Sequence, residues 1–125
     1  MTRAELKQFI ELYEKFERSV DHVTTILSKI PKYREDFYTY DKVWLELGYD
    51  GKPDEVYTEG SDQYDNYCGS FDVDMLTWSN EQLELFVEDS LEKERKEKEE
   101  KEIRRRQIQE DIDRKEYERL KQKYG

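Results

Sequence analysis

From Leu6 onward the apolar residues fall at Leu6, Phe9, Tyr13, Phe16, Val20, Val23, Leu27 and Ile30, at spacings that alternate between three and four. That is an unbroken a/d seam over about four heptads, and it predicts a helix over residues 3–30. Thr2 stands where an N-cap belongs, and Pro31 is the stop signal. Phe9, Tyr13 and Phe16 are bulky for a tight two-stranded coil, and Ile10 and Ile26 widen the stripe as in a globular core helix. The seam offers more apolar surface than a small sheet covers alone, so a homodimer is expected, made by self-association of these eight residues or through a weaker apolar stripe near the C-terminus.

Beyond Pro31 the period is lost, and residues 32–40 read as a crossing from helix to sheet. Val43, Leu45 and Leu47 then alternate with Trp44 and Glu46, the pattern of a half-buried strand over about 41–47. Asp50-Gly51 is a hairpin turn signal. Pro53 fits an edge strand, which places a short second strand at about 55–59. Gly60 to Tyr67 is loop chemistry throughout. Phe71, Val73 and Met75 alternate with Asp72 and Asp74, giving a third strand at about 70–76. The expected product is a three-stranded antiparallel meander, apolar on one face and acidic on the other, with the first helix as its cover.

Ser79-Asn80-Glu81-Gln82 has the form of a capping box and opens a second helix whose first turns carry Leu83, Phe86, Val87 and Leu91. From Glu92 to Glu102 no residue is apolar. A helix polar all round must be held by its own side chains, and Glu92–Lys96, Glu94–Lys98, Glu97–Lys101, Glu100–Arg104 and Glu102–Arg106 are i,i+4 pairs in the favourable order. Ile103, Ile108, Ile112, Tyr117, Leu120 and Tyr124 restore a weak stripe. Unbroken from Asn80 to Tyr124, such a helix measures ~67 Å, more than a small domain spans. The fold class is therefore α+β: a domain over residues 1–91 and an extended charged helical arm over 92–125.

Composition bounds what this fold can do. With 125 residues, 43% charged and 34% apolar, there is room for one small core, while ten Tyr, five Phe and two Trp argue against a wholly disordered chain. The net charge of −10 is unevenly spread. Residues 34–91 hold sixteen acidic and three basic residues, a net −13, against +1 before and +2 after. Such a surface repels nucleic acid and anionic membranes and attracts basic proteins. One cysteine, Cys68, allows no internal disulfide, and the N-terminus shows neither a signal h-region nor an apolar span of ~18 residues. The expected compartment is the cytoplasm.

No pattern calls for catalysis, a cofactor or a metal. His22 lies beside the seam without a Cys or His at ligand spacing, and Cys68 has no basic neighbour to activate it. There is no nucleophile elbow and no Gly-rich phosphate loop. Asp62, Asp65 and Asn66 crowd one loop but lack the spacing of a calcium-binding hand. Asp72 and Asp74 fall on one expected strand face, with no His or Arg beside them, and read as a solvated pair. Arg104-Arg105-Arg106 reads as partners for carboxylates one turn earlier.

What remains is an acidic segment with tyrosines set among the carboxylates. Asp50, Asp54, Glu55, Asp62, Asp65, Asp72 and Asp74 are the expected charge contacts to a basic partner, and Tyr57, Tyr64 and Tyr67 the anchors. Spaced carboxylates stand in for phosphates and compete for a protein's nucleic-acid groove. In size, acidity and helix–sheet build the chain resembles the small inhibitors that phages encode against nucleic-acid enzymes, anti-CRISPR proteins among them. The resemblance is one of character and carries over no residue; it implies a non-enzymatic inhibitor, a DNA mimic, acting on a nucleic-acid-handling protein. The other reading is a scaffold whose coiled coil is the function and whose acidic face keeps it in solution.

Overall fold

The computed structural model describes residues 1–125, in the order α1 (Arg3–Leu27), α2 (Pro31–Asp36), β1 (Lys42–Leu47), β2 (Pro53–Ser61), β3 (Asn66–Asp72), a 3-10 helix (Val73–Thr77) and α3 (Asn80–Tyr124). The chain divides into two compact units, Met1–Glu88 and Asp89–Gly125. The first holds the sheet, with strand order β1-β2-β3 and both pairings antiparallel.

The starts of α1 and α3 follow from their capping residues. The Glu5 amide donates to Thr2 Oγ1 at 3.1 Å and the Thr2 amide to Glu5 Oε1 at 3.2 Å; Ser79 and Gln82 repeat the exchange at the start of α3. The end of α1 departs from expectation. The helix closes at Leu27 and Ser28, where Arg34 reaches back to donate to the Ser28 and Lys29 carbonyls at 2.9 and 3.3 Å, satisfying acceptors that a helix end leaves open. Pro31 does not act only as a stop, since it stands at the first turn of α2, where a missing N–H costs nothing. Six residues are too few to show a period, which is why the sequence hides α2.

The seam divides in two. Val20, Val23, Leu27 and Ile30 are buried in the core of their own chain with Ile26, Phe37, Val56, Phe71, Met75, Leu83 and Val87. Phe16 is partly buried against that cluster, while Leu6, Phe9 and Tyr13 stay exposed. The expectation that all eight residues serve self-association is therefore corrected: the core takes the C-terminal half, and only the N-terminal half is free to meet another chain. Around the core, His22 Nε2 donates to Asn80 Oδ1 at 2.5 Å and Lys29 pairs with Glu84 at 2.5 Å, tying α1 to the first turns of α3. Tyr40 donates its hydroxyl to the Asp21 carboxylate; burial and that bond push its phenol up to about 12.

The strands differ from expectation at three places. β2 begins at Pro53 and is the central strand; proline is tolerated as its first residue, beside a register shift where β1 passes from Glu46 to Leu47. The expected loop over residues 60–67 is half strand, because Gly60 and Ser61 pair with Tyr67 and Asn66 and only Asp62–Asp65 turn. β3 ends at Asp72, whose Oδ1 accepts the Asp74 amide at 2.8 Å and opens the 3-10 helix, so the expected strand over 70–76 stops early. The Asp50-Gly51 turn forms as expected, with Gly51 at φ 77° and the Lys52 amide donating to Asp50 Oδ1 at 3.0 Å.

In the second unit, α3 is held less by the expected lysine pairs than by arginine. Arg95 makes two bonds to Glu92, at 3.1 and 2.5 Å, and one to Glu99 at 2.6 Å. Of the five expected pairs, Glu100–Arg104 (3.9 Å) and Glu102–Arg106 (3.4 Å) form. A planar guanidinium fork spans two carboxylates where an ammonium stays solvated. No helix is long and apolar enough to cross a membrane.

Candidate functional site

Residues directly opposite across antiparallel strands share a face, so the register sorts the sheet's two sides. Val43 and Thr58, Leu45 and Val56, and Val56 and Phe71 lie on the core side. The other side carries three rows running across the strands: Lys42–Glu59–Cys68, Trp44–Tyr57–Ser70 and Glu46–Glu55–Asp72. The last is a line of three carboxylates, one from each strand. Like charges placed directly opposite are destabilising. No Lys or Arg comes within 4 Å of Glu46, Asp54, Glu55 or Asp72, since the chain's ion pairs lie elsewhere.

An aromatic pair stands beside the row, and one of its rings holds Glu46 in place. Trp44 and Tyr57 stack with centroids 5.9 Å apart and planes at 15°. The Trp44 indole N–H donates to Glu46 Oε1 at 3.0 Å. The Tyr57 phenol is pushed above its usual value, chiefly by the Glu55 carboxylate beside it, with the charges of Glu46 and Asp54 adding to the effect. Where β1 turns into β2, a shallow cleft of about 350 Å³ is lined by Glu46, Gly48, Tyr49, Asp54, Glu55 and Tyr57.

Of the residues expected from sequence, the structure gathers Asp54, Glu55, Tyr57 and Asp72 here, with Asp50 in the adjoining turn. Asp62, Tyr64, Asp65 and Tyr67 lie towards the other end of β2, with Tyr67 roughly 17 Å and Asp62 roughly 23 Å from Glu55 at the usual strand rise. Their chemistry is that of a turn. Asp62 Oδ1 accepts the Tyr64 and Asp65 amides, each at 2.8 Å, and Oδ2 accepts the Tyr67 hydroxyl at 3.1 Å. Tyr67 stands on the core side of the sheet against Tyr38, centroids 5.2 Å apart, and Tyr64 is exposed at the tip. Asp72 and Asp74 do not share a strand face, because Asp74 belongs to the 3-10 helix. Glu46, Trp44 and Tyr49 were missed as site residues; the alternation of Trp44 and Glu46 with the core positions was the signal. No group of three His, Cys, Asp or Glu side chains gathers as a metal site.

The Asp62 turn carries a pH prediction. Amide donors from Tyr64 and Asp65 hold the Asp62 carboxyl below its ordinary value, with the Tyr67 hydroxyl adding to the effect. A carboxyl lowered on folding stabilises the turn above its unfolded value, and that support is lost as pH falls through the lowered one. Protection of the Tyr64 and Asp65 amides, measured against the exchange rate of an unstructured peptide at the same pH, is expected to fall on acidification, and Asp62→Ala is expected to reproduce the loss at neutral pH. Unchanged exchange in the variant would show that the turn is held by its strands alone.

Searched against protein-family models, curated proteins and solved structures, the chain matches none of them.

Proposed function

We propose that this chain is a non-enzymatic binding protein that docks a cationic partner on the outer face of its sheet. The observation that carries the reading is the unpaired row Glu46–Glu55–Asp72, extended by Asp54. Three carboxylates across one sheet with no internal cation weaken the fold, and a surface of Arg and Lys offsets that repulsion. Trp44, Tyr57 and Tyr49 beside the row supply contact area at low entropic cost. The partner class is a protein with a basic groove of the kind that handles nucleic acid, for which spaced carboxylates compete as phosphate stand-ins. Blocking that groove is the proposed activity.

The test is affinity capture from a host lysate at about 50 and 500 mM salt, repeated with Glu46→Gln, Asp54→Asn, Glu55→Gln and Asp72→Asn combined. These changes keep the side-chain oxygens, including the one at Asp72 that caps the 3-10 helix. Basic proteins held at low salt are expected to be lost at high salt, as screening shortens the field, and lost with the fourfold variant at low salt. Asp65→Asn, at the far end of β2, is expected to retain them. A captured set indifferent to salt and to the fourfold change would sink the proposal.

A scaffolding role is the second reading, favoured by the exposed apolar residues Leu6, Phe9 and Tyr13 of α1.

A further inference from the structure

Strand β1 is an edge of the sheet, paired to β2 on one side and to nothing on the other. Edge strands are ordinarily guarded by proline, by several charges or by a covering element. Lys42–Leu47 contains no proline and two charged residues, and Trp44, Leu45 and Leu47 along it are exposed. The core-side residues Val43 and Leu45 also line an almost wholly apolar groove of about 500 Å³, closed on its other wall by Phe9, Tyr13 and Phe16 of α1. The free half of the heptad seam and the free sheet edge are thus one surface.

The charges of β1 specify what fits that surface. Laid antiparallel on itself about Trp44, the strand places Lys42 opposite Glu46 and Glu46 opposite Lys42, with Val43 opposite Leu45 on the core side and Trp44 opposite Trp44. Moving the two-fold centre one residue to Leu45 sets Glu46 against Trp44 and leaves both charges unpaired. We infer that β1 pairs with β1 of a second copy of this chain in the register centred on Trp44, joining two sheets into one of six strands. Each arm of this isologous contact satisfies the other, so the assembly closes at two copies. The second copy's Leu45 arrives beside Val43, at the mouth of the groove under Phe9 and Tyr13. On the outer face its Lys42 arrives beside Glu46, placing a cation at the end of the carboxylate row, while Asp54, Glu55 and Asp72 stay free. The inference does not rest on the binding reading, although the two share Glu46: the dimer pairs Glu46 with the second copy's Lys42 and leaves Asp54, Glu55 and Asp72 to a cationic partner.

Light scattering on the eluting chain at about 100 μM is expected to give twice the 15.4 kDa monomer mass. Glu46→Lys sets lysine against lysine at two symmetric positions and is expected to raise the dissociation constant about tenfold; Lys42→Glu with Glu46→Lys restores the opposite pairing and is expected to recover the dimer. Both positions are exposed, and an unchanged circular dichroism spectrum is expected although Glu46→Lys removes the acceptor of the Trp44 indole N–H. In a Cys68→Ser background, Trp44→Cys is expected to form a covalent dimer on mild oxidation, since directly opposed residues stand within disulfide reach. A monomer mass at 100 μM overturns the inference. So does a dimer that ignores the charge exchange and fails to cross-link at position 44, which would place the contact elsewhere.

Discussion

Leu27→Ala is expected to cost about 3 kcal/mol and to lower the melting temperature of the sheet-bearing unit by roughly 15 °C. Leu27 is completely buried, among the largest of the core side chains, and the residues around it come from α1, the sheet, the 3-10 helix and α3. A truncation there leaves a void that several elements would have to move together to close. Leu6 occupies an equivalent place in the heptad pattern yet is 48% exposed, so Leu6→Ala is expected to change stability by no more than about 0.5 kcal/mol. Near-ultraviolet circular dichroism, which follows the tyrosines and tryptophans, reads the two melts. Equal losses for the two variants would show that the seam is buried along its whole length.

That contrast marks where the sequence is legible. Periodicity reports which face of a helix is apolar, and the Thr2–Glu5 and Ser79–Gln82 boxes report where helices start, because both are set by residues three or four apart. Periodicity is silent on how far the covering sheet extends, which decides that Val20 is buried and Phe9 is not. The Asp62–Asp65 turn was hidden because Asp, Asn, Ser and Gly serve a long loop and a tight hairpin equally; one carboxylate accepting two amides makes the difference. Val73 and Met75 continue the strand alternation of Phe71 on paper, but Asp72 caps a 3-10 turn there and the alternation loses its meaning.

The candidate site was half legible for a related reason. Acidity and aromatic content locate the surface to the middle of the chain, and the turn at Gly51 fixes that β1 and β2 pair. The line Glu46–Glu55–Asp72 depends on the register shift beyond Glu46, which brings Glu55 and not Asp54 opposite it. A one-residue difference there would turn the carboxylates to opposite sides of the sheet. Sequence chemistry names the charges, and only the ladder chooses which of them stand together.

Gly60→Ala is expected to destabilise the unit by about 3 kcal/mol, although the position lies in a strand and not in a turn. A Cβ at Gly60 would sit 2.3 Å from the Thr39 carbonyl oxygen and 2.5 Å from Tyr40 Cα, both backbone atoms that no side-chain rotation can clear. The obstructing segment is itself pinned. The Asp41 amide donates to the Glu59 carbonyl at 3.0 Å, and the Tyr40 hydroxyl is bonded to Asp21 on α1, so relief at Gly60 disturbs the entry to β1 and its tie to the first helix. Gly51, the glycine that the sequence singles out, behaves differently. Its φ of 77° disfavours a side chain, but nothing stands within 4 Å, so Gly51→Ala is expected to cost only about 1 kcal/mol of backbone strain. Chemical denaturation of both variants measures the order directly. If Gly51→Ala proves the more damaging of the two, the crossing from α2 to β1 does not lie against β2 as the structure has it.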